Sequence, residues 1–171
     1  KGTTRIINAA REPEVVDLAN LLIEMGAKIS GHGTNTIVIK GVSELGGATY
    51  QVMSDRIEAG TYAIAAAITG GSLDLVNADF SYLPATVQSL KQAGVSFEPI
   101  DGGMRVQVSQ PLKPVNVSTQ PYPGFATDLQ AQFLTLMCLA QGTSVIEETI
   151  FENRFMHVAE LSRMGADITL K

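Results

Sequence analysis

One kind of segment occurs three times in this chain, and the repetition constrains the fold more than any other feature. The copies run from Gly2 to Gly26, from Gly71 to Gly94 and from Gly142 to Gly165, so that they begin 69 and 71 residues apart. Each copy has a glycine and a hydroxyl residue, a short strand-like run, a few polar residues, an amphipathic helix and a closing glycine. A fixed period of this size indicates one supersecondary unit stacked on its own kind.

The segments between the copies also recur. Residues Gly46–Val52 lead into the apolar run Arg56–Ile68, and Pro114–Ser118 lead through a Pro- and Gly-rich loop into Asp128–Ala140. Each pair predicts a short strand followed by a helix that is apolar almost all round. A helix of that kind belongs in the interior of a protein.

The repeated copies contain the other kind of helix, with one apolar face. In the first copy the apolar positions follow the helical spacing i, i+3, i+4, i+7, at Val15, Leu18, Ala19 and Leu22. In the third copy the same reasoning places Val158 and Leu161 inward. The three closing glycines suit a left-handed helix terminus.

Alternating strands follow the first two copies, at Thr36–Lys40 and Met104–Ser109, with turns at His32-Gly33 and Asp101–Gly103 before them. Alternation indicates strands with one solvated face. The unit is therefore βαβαββ, and the chain contains the second half of one unit, one complete unit and most of a third. Apolar helices combined with alternating sheets predict an α/β (α+β) fold with helices buried inside and sheets outside, the inverse of the usual arrangement.

Composition excludes several classes of function. The net charge is −5, from 17 acidic and 12 basic residues, and the basic residues are dispersed, which argues against nucleic-acid binding. No apolar stretch approaches the ~20 residues of a membrane span, and no signal peptide is visible. A single cysteine cannot form an internal disulfide, which favours the cytoplasm. Its apolar neighbours predict that Cys138 is a small core residue rather than a nucleophile.

Five motifs give the chain a close resemblance to the bacterial enolpyruvyl transferases, and within them to the enzymes that act on UDP-N-acetylglucosamine. They are Asn8–Asp17, Met25–Ile29, Asp55–Thr61, Thr127–Phe133 and Phe151–Val158. The last two, Thr-Asp-Leu-Gln-Ala-Gln-Phe and Phe-Glu-Asn-Arg-Phe-Met-His-Val, are the most specific. The likeness covers the whole chain, which resembles the middle part of such an enzyme.

The resemblance implies an inside-out α/β barrel of βαβαββ units in two globular domains. Residues 1–53 are expected to belong to one domain and residues 54–171 to the other. It also implies transfer of the enolpyruvyl group of phosphoenolpyruvate to the 3-hydroxyl of UDP-N-acetylglucosamine, with release of phosphate, in cytoplasmic peptidoglycan synthesis. Cell wall biogenesis, cell shape, cell division and the cell cycle would depend on that reaction. The family uses no metal or other cofactor, and the only histidines, His32 and His157, have no accompanying ligand cluster.

Asp128 is the candidate catalytic residue. Without the resemblance, its place at the start of an apolar helix indicates a helix cap or a first-turn carboxylate. The resemblance implies instead that Asp128, next to Thr127, faces the sugar hydroxyl and serves in proton transfer. A carboxylate near a reacting hydroxyl can accept its proton as the carbon–oxygen bond forms.

Arg154, Ile150 and Phe151 are the further candidates for substrate binding. Arg154 lies at the junction of loop and helix in the third copy, where the first copy has Glu14 and the second has Leu83 or Pro84 nearby. It could be a solvated surface arginine, or a guanidinium that binds phosphate or carboxylate in a bidentate manner. The resemblance implies that the backbone at Ile150 and Phe151 contacts the nucleotide sugar.

Four other charged residues could line a cleft between domains. Arg56 and Glu58 could equally form an exposed ion pair. Glu12 and Glu14 flank Pro13 at a helix start, where acidic residues are favoured in any case.

Two alternatives remain open at this point. One is the shikimate-pathway enolpyruvyl transferase, which shares the unit; the other is a non-catalytic βαβαββ assembly module. The family's cysteine loop and most of its cationic substrate ligands have no counterpart here, and a doubly anionic substrate needs several converging cations.

Both ends of the chain resemble cuts in a longer protein. We therefore expect the remainder of the parent enzyme as a partner, and an isolated chain without activity.

Overall fold

The computed structural model describes residues 1–108 and 111–171, which divide into two compact units, Lys1–Met53 and Ser54–Lys171. Ser109, the last residue of the predicted strand Met104–Ser109, lies outside the described residues. Within the described ranges, no helix is both long enough and apolar enough to cross a membrane.

The unit of residues 1–53 is a helix packed with a three-stranded antiparallel sheet. Its elements are β1 (Thr3–Ile7), α1 (Pro13–Glu24), β2 (Lys28–Ser30) and β3 (Thr36–Lys40), with β3 between the other two strands. The β2–β3 turn passes through Gly31, whose φ is +78°. A Cβ there would lie 2.2 Å from the Thr36 carbonyl oxygen, so the turn requires glycine.

The predicted apolar face of α1 is only partly buried. Ala19 is 6% exposed, whereas Leu18 is 56% exposed, so the prediction for Leu18 is wrong in this unit. The helical spacing places Leu18 beside Ala19, but a unit of 53 residues encloses too little volume to cover the whole stripe.

Residues Gly46–Val52 have irregular backbone in place of the predicted strand, which corrects that prediction. The segment is held by α1 instead. The Gly46 N–H donates to the Met25 carbonyl at 2.8 Å. The Tyr50 hydroxyl and the Met53 N–H donate to the Asp17 carboxylate at 3.0 and 3.2 Å. A strand exists only where a second strand pairs with its backbone, and in the described part of the chain none does so here.

The unit of residues 54–171 begins with a second helix-and-sheet group. Its elements are α2 (Arg56–Ile68), β4 (Ser72–Val76), a 3₁₀ turn (Phe80–Tyr82), α3 (Pro84–Ala93), β5 (Val95–Ile100) and β6 (Gly103–Val108). The sheet is antiparallel in the order β4-β6-β5. The sequence predicted a strand at residues 46–52 followed by helix, strand, helix, strand and strand. The structure has these last five elements in the predicted order.

The third βαβαββ repeat, which contains the third copy, is the most irregular. It consists of β7 (Val117–Ser118), a 3₁₀ turn (Thr127–Leu129), α4 (Gln130–Met137), β8 (Ile146–Glu147) and α5 (His157–Arg163). Strands β7 and β8 pair in parallel, with Val117 opposite Ile146 and Ser118 opposite Glu147. Val158 is 5% exposed and Leu161 is partly buried, which confirms the predicted inward face of α5.

Helices α2 and α4 form the interior of this unit, which confirms the predicted fold class. Ala63 and Ala67 on α2, and Phe133 and Leu136 on α4, have no exposed surface. The small side chains of α2 permit close packing. A Cβ at Gly60 would lie 2.6 Å from a methyl group of Leu129.

The closing glycines adopt the predicted left-handed conformation, with φ of +101° at Gly26, +106° at Gly94 and +99° at Gly165. Asparagine has the same handedness between strand and helix in each copy, with φ of 56–58° at Asn8, Asn77 and Asn153. Asparagine tolerates this conformation better than other residues with a side chain. Each copy thus has a left-handed asparagine before its helix and a left-handed glycine after it.

Helix α4 ends at Met137 rather than at the predicted Ala140, and this explains a further correction. Cys138 lies just beyond the helix and is exposed, not buried in the core. Its thiol donates to the Leu134 carbonyl at 3.3 Å. Partial burial of the sulfur raises the pKa of the Cys138 thiol, which disfavours the nucleophilic thiolate.

Candidate functional site

Asp128 lies at the start of the buried helix, in the 3₁₀ turn that precedes α4. Leu129 anchors the turn because it is fully buried, while Phe125, just before the turn, packs edge-to-face on Phe133 at 5.2 Å between ring centroids. Between these anchors Thr127 is half-buried and the Asp128 side chain is 55% exposed. In the described residues no side chain caps the turn or α4, so Asp128 is a first-turn carboxylate but not a helix cap.

Arg154 joins the candidate residues into one cluster. Its Nη2 donates to Asp128 Oδ1 at 2.8 Å and its Nη1 donates to Thr127 Oγ1 at 3.1 Å. The guanidinium also lies over the Phe151 ring, 5.0 Å from its centroid. Two hydrogen bonds and one contact with an aromatic ring hold the guanidinium, so Arg154 is not a freely solvated surface arginine.

The contacts leave one oxygen of Asp128 for a ligand. Oδ1 accepts the Arg154 hydrogen bond, and no described residue donates to Oδ2. Because more than half of the side chain is exposed, Oδ2 is accessible to a hydroxyl group from solution. The pair therefore combines an oriented carboxylate with a neighbouring cation.

Glu148 is the residue of this cluster that the sequence analysis missed. Its Oε1 accepts hydrogen bonds from the Thr119 hydroxyl at 2.9 Å and from the N–H groups of Ile150 and Phe151 at 2.8 and 3.0 Å. Its Oε2 accepts from the Thr127 hydroxyl at 2.8 Å. One carboxylate thus connects β7, the turn before α4 and the loop after β8.

The hydrogen bonds determine the ionisation of Glu148. Burial, the largest single influence, acts to raise its pKa because it disfavours the charged form. The N–H groups of Ile150 and Phe151 and the hydroxyls of Thr127 and Thr119 together outweigh it. They hold the pKa of Glu148 below the ordinary value. Glu148 is therefore a carboxylate at neutral pH.

The short parallel pairing of β7 with β8 brings Glu148 to this place. Beyond the paired residues, the Thr119 N–H donates to the Glu147 carbonyl at 2.9 Å, and the Thr149 N–H donates to the Thr119 hydroxyl at 2.8 Å. The Thr149 hydroxyl donates to the Thr119 carbonyl. Thr119 is fully buried, so this register is fixed from inside the unit.

The N–H groups of Ile150 and Phe151 are both used by Glu148, so only the carbonyl groups of these two residues remain for a backbone hydrogen bond with a ligand. The two residues are 36% and 55% exposed. A ligand that contacted the backbone here would therefore donate hydrogen bonds, as a hydroxyl or an amide N–H does.

The structure gives the other predicted cleft residues surroundings of their own. Arg56 is 8% exposed and its guanidinium lies 5.6 Å from the centroid of the Tyr122 ring. An exposed ion pair of Arg56 with Glu58 is therefore wrong, although Glu58 is itself exposed. Glu12 and Glu14 belong to the unit of residues 1–53, at the N-cap and in the first turn of α1 as predicted.

The structure also corrects the alignment of the three copies. Aligned on their left-handed asparagines, the copies place Arg154 opposite Ala9 and Ala78, and not opposite Glu14 and Leu83 or Pro84. The helices that follow differ in length, since α5 has 7 residues, against 12 in α1 and 10 in α3.

Comparison with known proteins extends over the whole chain. A family model described as EPSP synthase (3-phosphoshikimate 1-carboxyvinyltransferase) matches residues 1–171. The UDP-N-acetylglucosamine 1-carboxyvinyltransferase of Novosphingobium aromaticivorans is 61% identical over 171 residues, which is 100% of this chain and 40% of that protein. The enzyme of the same name from Geotalea daltonii is 60% identical over 169 residues, covering 99% and 40%.

Solved structures share the fold at lower identity. The enolpyruvyl transferase NikO from Streptomyces tendae matches with a TM-score of 0.82 and 24% identity, over 99% of this chain and 41% of that one. The chain spans about 40% of the length of the curated relatives that it matches. Because the family model matches every residue from 1 to 171, the chain belongs to the EPSP synthase family of enolpyruvyl transferases.

Proposed function

We propose that this chain is a segment of an enzyme that transfers the enolpyruvyl group of phosphoenolpyruvate to the 3-hydroxyl of UDP-N-acetylglucosamine. Phosphate is released, and the product is a peptidoglycan precursor. Identities of 57–61% to proteins named for the UDP-N-acetylglucosamine reaction support this substrate. The shikimate-pathway reaction, which the description of the family model names, is the second candidate.

The observation that carries the proposal is the oriented Asp128 carboxylate. Arg154 holds Oδ1, while Oδ2 faces no donor among the described residues and is accessible. In the transfer, the sugar hydroxyl oxygen bonds to the enol carbon of phosphoenolpyruvate, the hydroxyl proton leaves and phosphate departs. Asp128 accepts that proton through Oδ2 as the carbon–oxygen bond forms.

Neighbouring groups supply the recognition. The carbonyls of Ile150 and Phe151 accept hydrogen bonds from the nucleotide sugar, and Thr127 holds Arg154 toward the reacting groups. Arg154 contributes one positive charge to the anionic substrates. Arg56, Glu58, Glu12 and Glu14 line a cleft in the complete enzyme.

The chain requires the rest of that enzyme. In our proposal, residues 1–53 and 54–171 belong to its two different globular domains, and the remaining cations come from outside this segment. A multiply charged substrate needs several cations that act together, so the isolated chain is inactive. The complete enzyme works in the cytoplasm, where it supports cell wall biogenesis, cell shape and cell division.

The test replaces Asp128 in the complete protein that contains this segment. Asp128→Asn is expected to lower kcat by about two to four powers of ten, the usual scale of general acid–base catalysis. The KM for UDP-N-acetylglucosamine should change much less, because the amide keeps the size and most of the hydrogen bonding. Arg154→Ala should impair both constants, because it removes a charged anchor.

A second aspartate–arginine pair provides the control. Asp74 accepts two hydrogen bonds from Arg105 at 2.6 and 2.8 Å on the β4–β6 sheet. Asp74→Asn removes the same charge and should leave kcat unchanged. If Asp128→Asn kept kcat within about threefold of wild type, far below that catalytic range, the proton-transfer role would be wrong. Activity with a shikimate phosphate but not with UDP-N-acetylglucosamine would select the second candidate.

A further inference from the structure

The Glu148 carboxylate acts on Arg154 from two sides without touching it. Through Oε1, it accepts the N–H groups of Ile150 and Phe151 and so fixes the turn that places the Phe151 ring under the guanidinium. Through Oε2, it accepts the Thr127 hydroxyl hydrogen. Both routes end at Arg154.

The Thr127 hydroxyl transmits the second effect. Because Glu148 has only lone pairs to offer, the Thr127 hydrogen must point toward Oε2. The lone pairs of Thr127 Oγ1 then remain free to accept Arg154 Nη1 at 3.1 Å. Glu148 therefore sets the direction of the hydrogen bond that holds Arg154, and Arg154 in turn orients Asp128.

We infer that Glu148 is a positioning residue, which holds the Arg154–Asp128 pair in the geometry for transfer and touches neither substrate. This inference rests on the proposed function, but the arrangement of the side chains can be tested without it. Glutamine is the informative replacement because it keeps the size and one accepting oxygen. Its NH₂ group cannot accept from Thr127, so the Thr127 hydroxyl loses the acceptor that sets its direction.

The experiment measures steady-state kinetics of the complete protein with Glu148→Gln, and with Glu147→Gln as the matched control. Glu147 is the adjacent exposed glutamate in β8 and belongs to no contact of the cluster through its side chain. Glu148→Gln should lower kcat by about ten- to a hundredfold, as small displacements in an active site do, with KM changed less than about threefold. Glu147→Gln should leave both constants unchanged.

Combination with Arg154→Ala separates positioning from general damage to the fold. If Glu148 acts through Arg154, Glu148→Gln should lower kcat by less than about threefold once Arg154 is gone, because the two effects are not additive. A full loss in both backgrounds would overturn the inference. Should Glu148→Gln fail to fold, Thr127→Val removes only the relaying hydroxyl, and the same comparison with Arg154→Ala decides.

Hydrogen exchange keeps the inference distinct from the proposed function. In the 171-residue chain, Glu148→Gln should speed exchange of the Ile150 and Phe151 amides relative to Glu147→Gln. If the complete wild-type protein lacks transferase activity, the proposed function is wrong. If Glu148→Gln leaves exchange at the Ile150 and Phe151 amides unchanged, the positioning inference is wrong, whatever the activity. A kcat within about threefold of an active wild type would also overturn it, because that is well below the loss expected from displaced groups.

Discussion

A carboxylate that accepts four hydrogen bonds makes stability depend on pH. The pKa of Glu148 in the folded chain lies below its ordinary value because the four donors outweigh the effect of burial. At pH values above the unfolded-state pKa, about 4.3 for glutamate, a lowered folded-state pKa stabilises the fold. This stabilisation is lost as the pH falls through the folded-state pKa. Wild type should therefore exceed Glu148→Gln in thermal stability at pH 7, with a gap that narrows in acid.

The measurement is the melting temperature of both chains from pH 7 down to pH 3. The adjacent Glu147→Gln variant should run parallel to wild type throughout. A gap between wild type and Glu148→Gln that stayed constant over this range would show that the ionised form of Glu148 is not preferentially stabilised.

Cys138 is exposed but should react slowly. Partial burial of the sulfur raises the pKa of its thiol, so less thiolate is present at pH 7.5 than in free cysteine. Alkylation by iodoacetamide, followed by mass spectrometry, should be slower in the folded chain than in the urea-unfolded chain, with a difference that shrinks as the pH rises. Equal rates at pH 7.5 would contradict the raised pKa.

Motifs predicted the clustered residues Asp128, Arg154 and Phe151, but not Glu148. The first three lie in the two specific motifs, whereas Glu148 precedes the second and looks like one acid among many. Its role depends on Thr119, 29 residues earlier, which reaches it only because β7 pairs with β8. Long-range pairing of two-residue strands has no periodicity that a sequence could reveal.

At the scale of elements, we expect substitution of a closing glycine to destabilise the fold because of its left-handed backbone conformation, even where a side chain would meet no other atom. Gly26 has a φ of +101° and open space where a Cβ would lie, so Gly26→Ala meets no clash. It should still destabilise the chain by about 1 kcal/mol, because alanine disfavours the left-handed region. Urea unfolding followed by circular dichroism measures the change.

Gly47→Ala is the matched control for that substitution. Gly47 also has open space around it, and its φ lies outside the left-handed range. Its replacement should leave the free energy of unfolding unchanged or slightly higher. If Gly26→Ala and Gly47→Ala lowered the free energy of unfolding equally, the left-handed conformation of Gly26 would not be the cause.

Gly60 tests the packing of α2 against the turn that carries Asp128. A Cβ at this position would lie 2.6 Å from Cδ1 of the fully buried Leu129. Gly60→Ala should therefore lower the free energy of unfolding by about 1 kcal/mol, since overpacking of about 1–3 kcal/mol exceeds the helix-propensity gain of about 1 kcal/mol. Thermal or urea unfolding gives the value.

A double variant checks the cause. Leu129→Ala opens space for the new methyl group, so Gly60→Ala should be less harmful, or stabilising, in the Leu129→Ala background. Equal effects of Gly60→Ala in both backgrounds would exclude contact with Leu129 as the reason.

Periodicity predicted the helices better than the strands. The ends of α2 and the range of β3 agree with their apolar patterns, because these elements are defined by local spacing. Residues 46–52 have the composition of a strand, but in the described chain they have hydrogen bonds to Asp17 and Met25 in place of a strand partner. Whether such a segment becomes a strand depends on its neighbours.

Across the whole molecule, the two units should differ in local stability. The main hydrophobic cluster runs from Ala59 to Met137 and lies within residues 54–171, whereas Leu18 and Ile7 in the other unit are 56% and 75% exposed. Amide protons of β3 should therefore exchange with solvent faster than those of β6, which lies on the larger core. Native-state hydrogen exchange by NMR compares them directly, and equal protection of the two strands would contradict the difference.

The sequence does not determine how completely the apolar face of α1 is buried. The stripe containing Leu18 and Ala19 indicated which face of α1 is apolar. How much of that face is covered depends on the volume that a 53-residue unit can enclose, which helical spacing does not encode.

The paired left-handed residues have a consequence for how such a molecule can diverge. Within each copy, Asn and Gly fix the direction of the chain at the two ends of a span, while the helix between them varies from 12 to 7 residues. Helix length therefore differs between copies while φ stays at 56–58° at the asparagine and 99–106° at the glycine. The copy with the shortest helix is also the one with arginine rather than alanine after its asparagine, so the same backbone turn carries a cation in one copy and a methyl group in the other two.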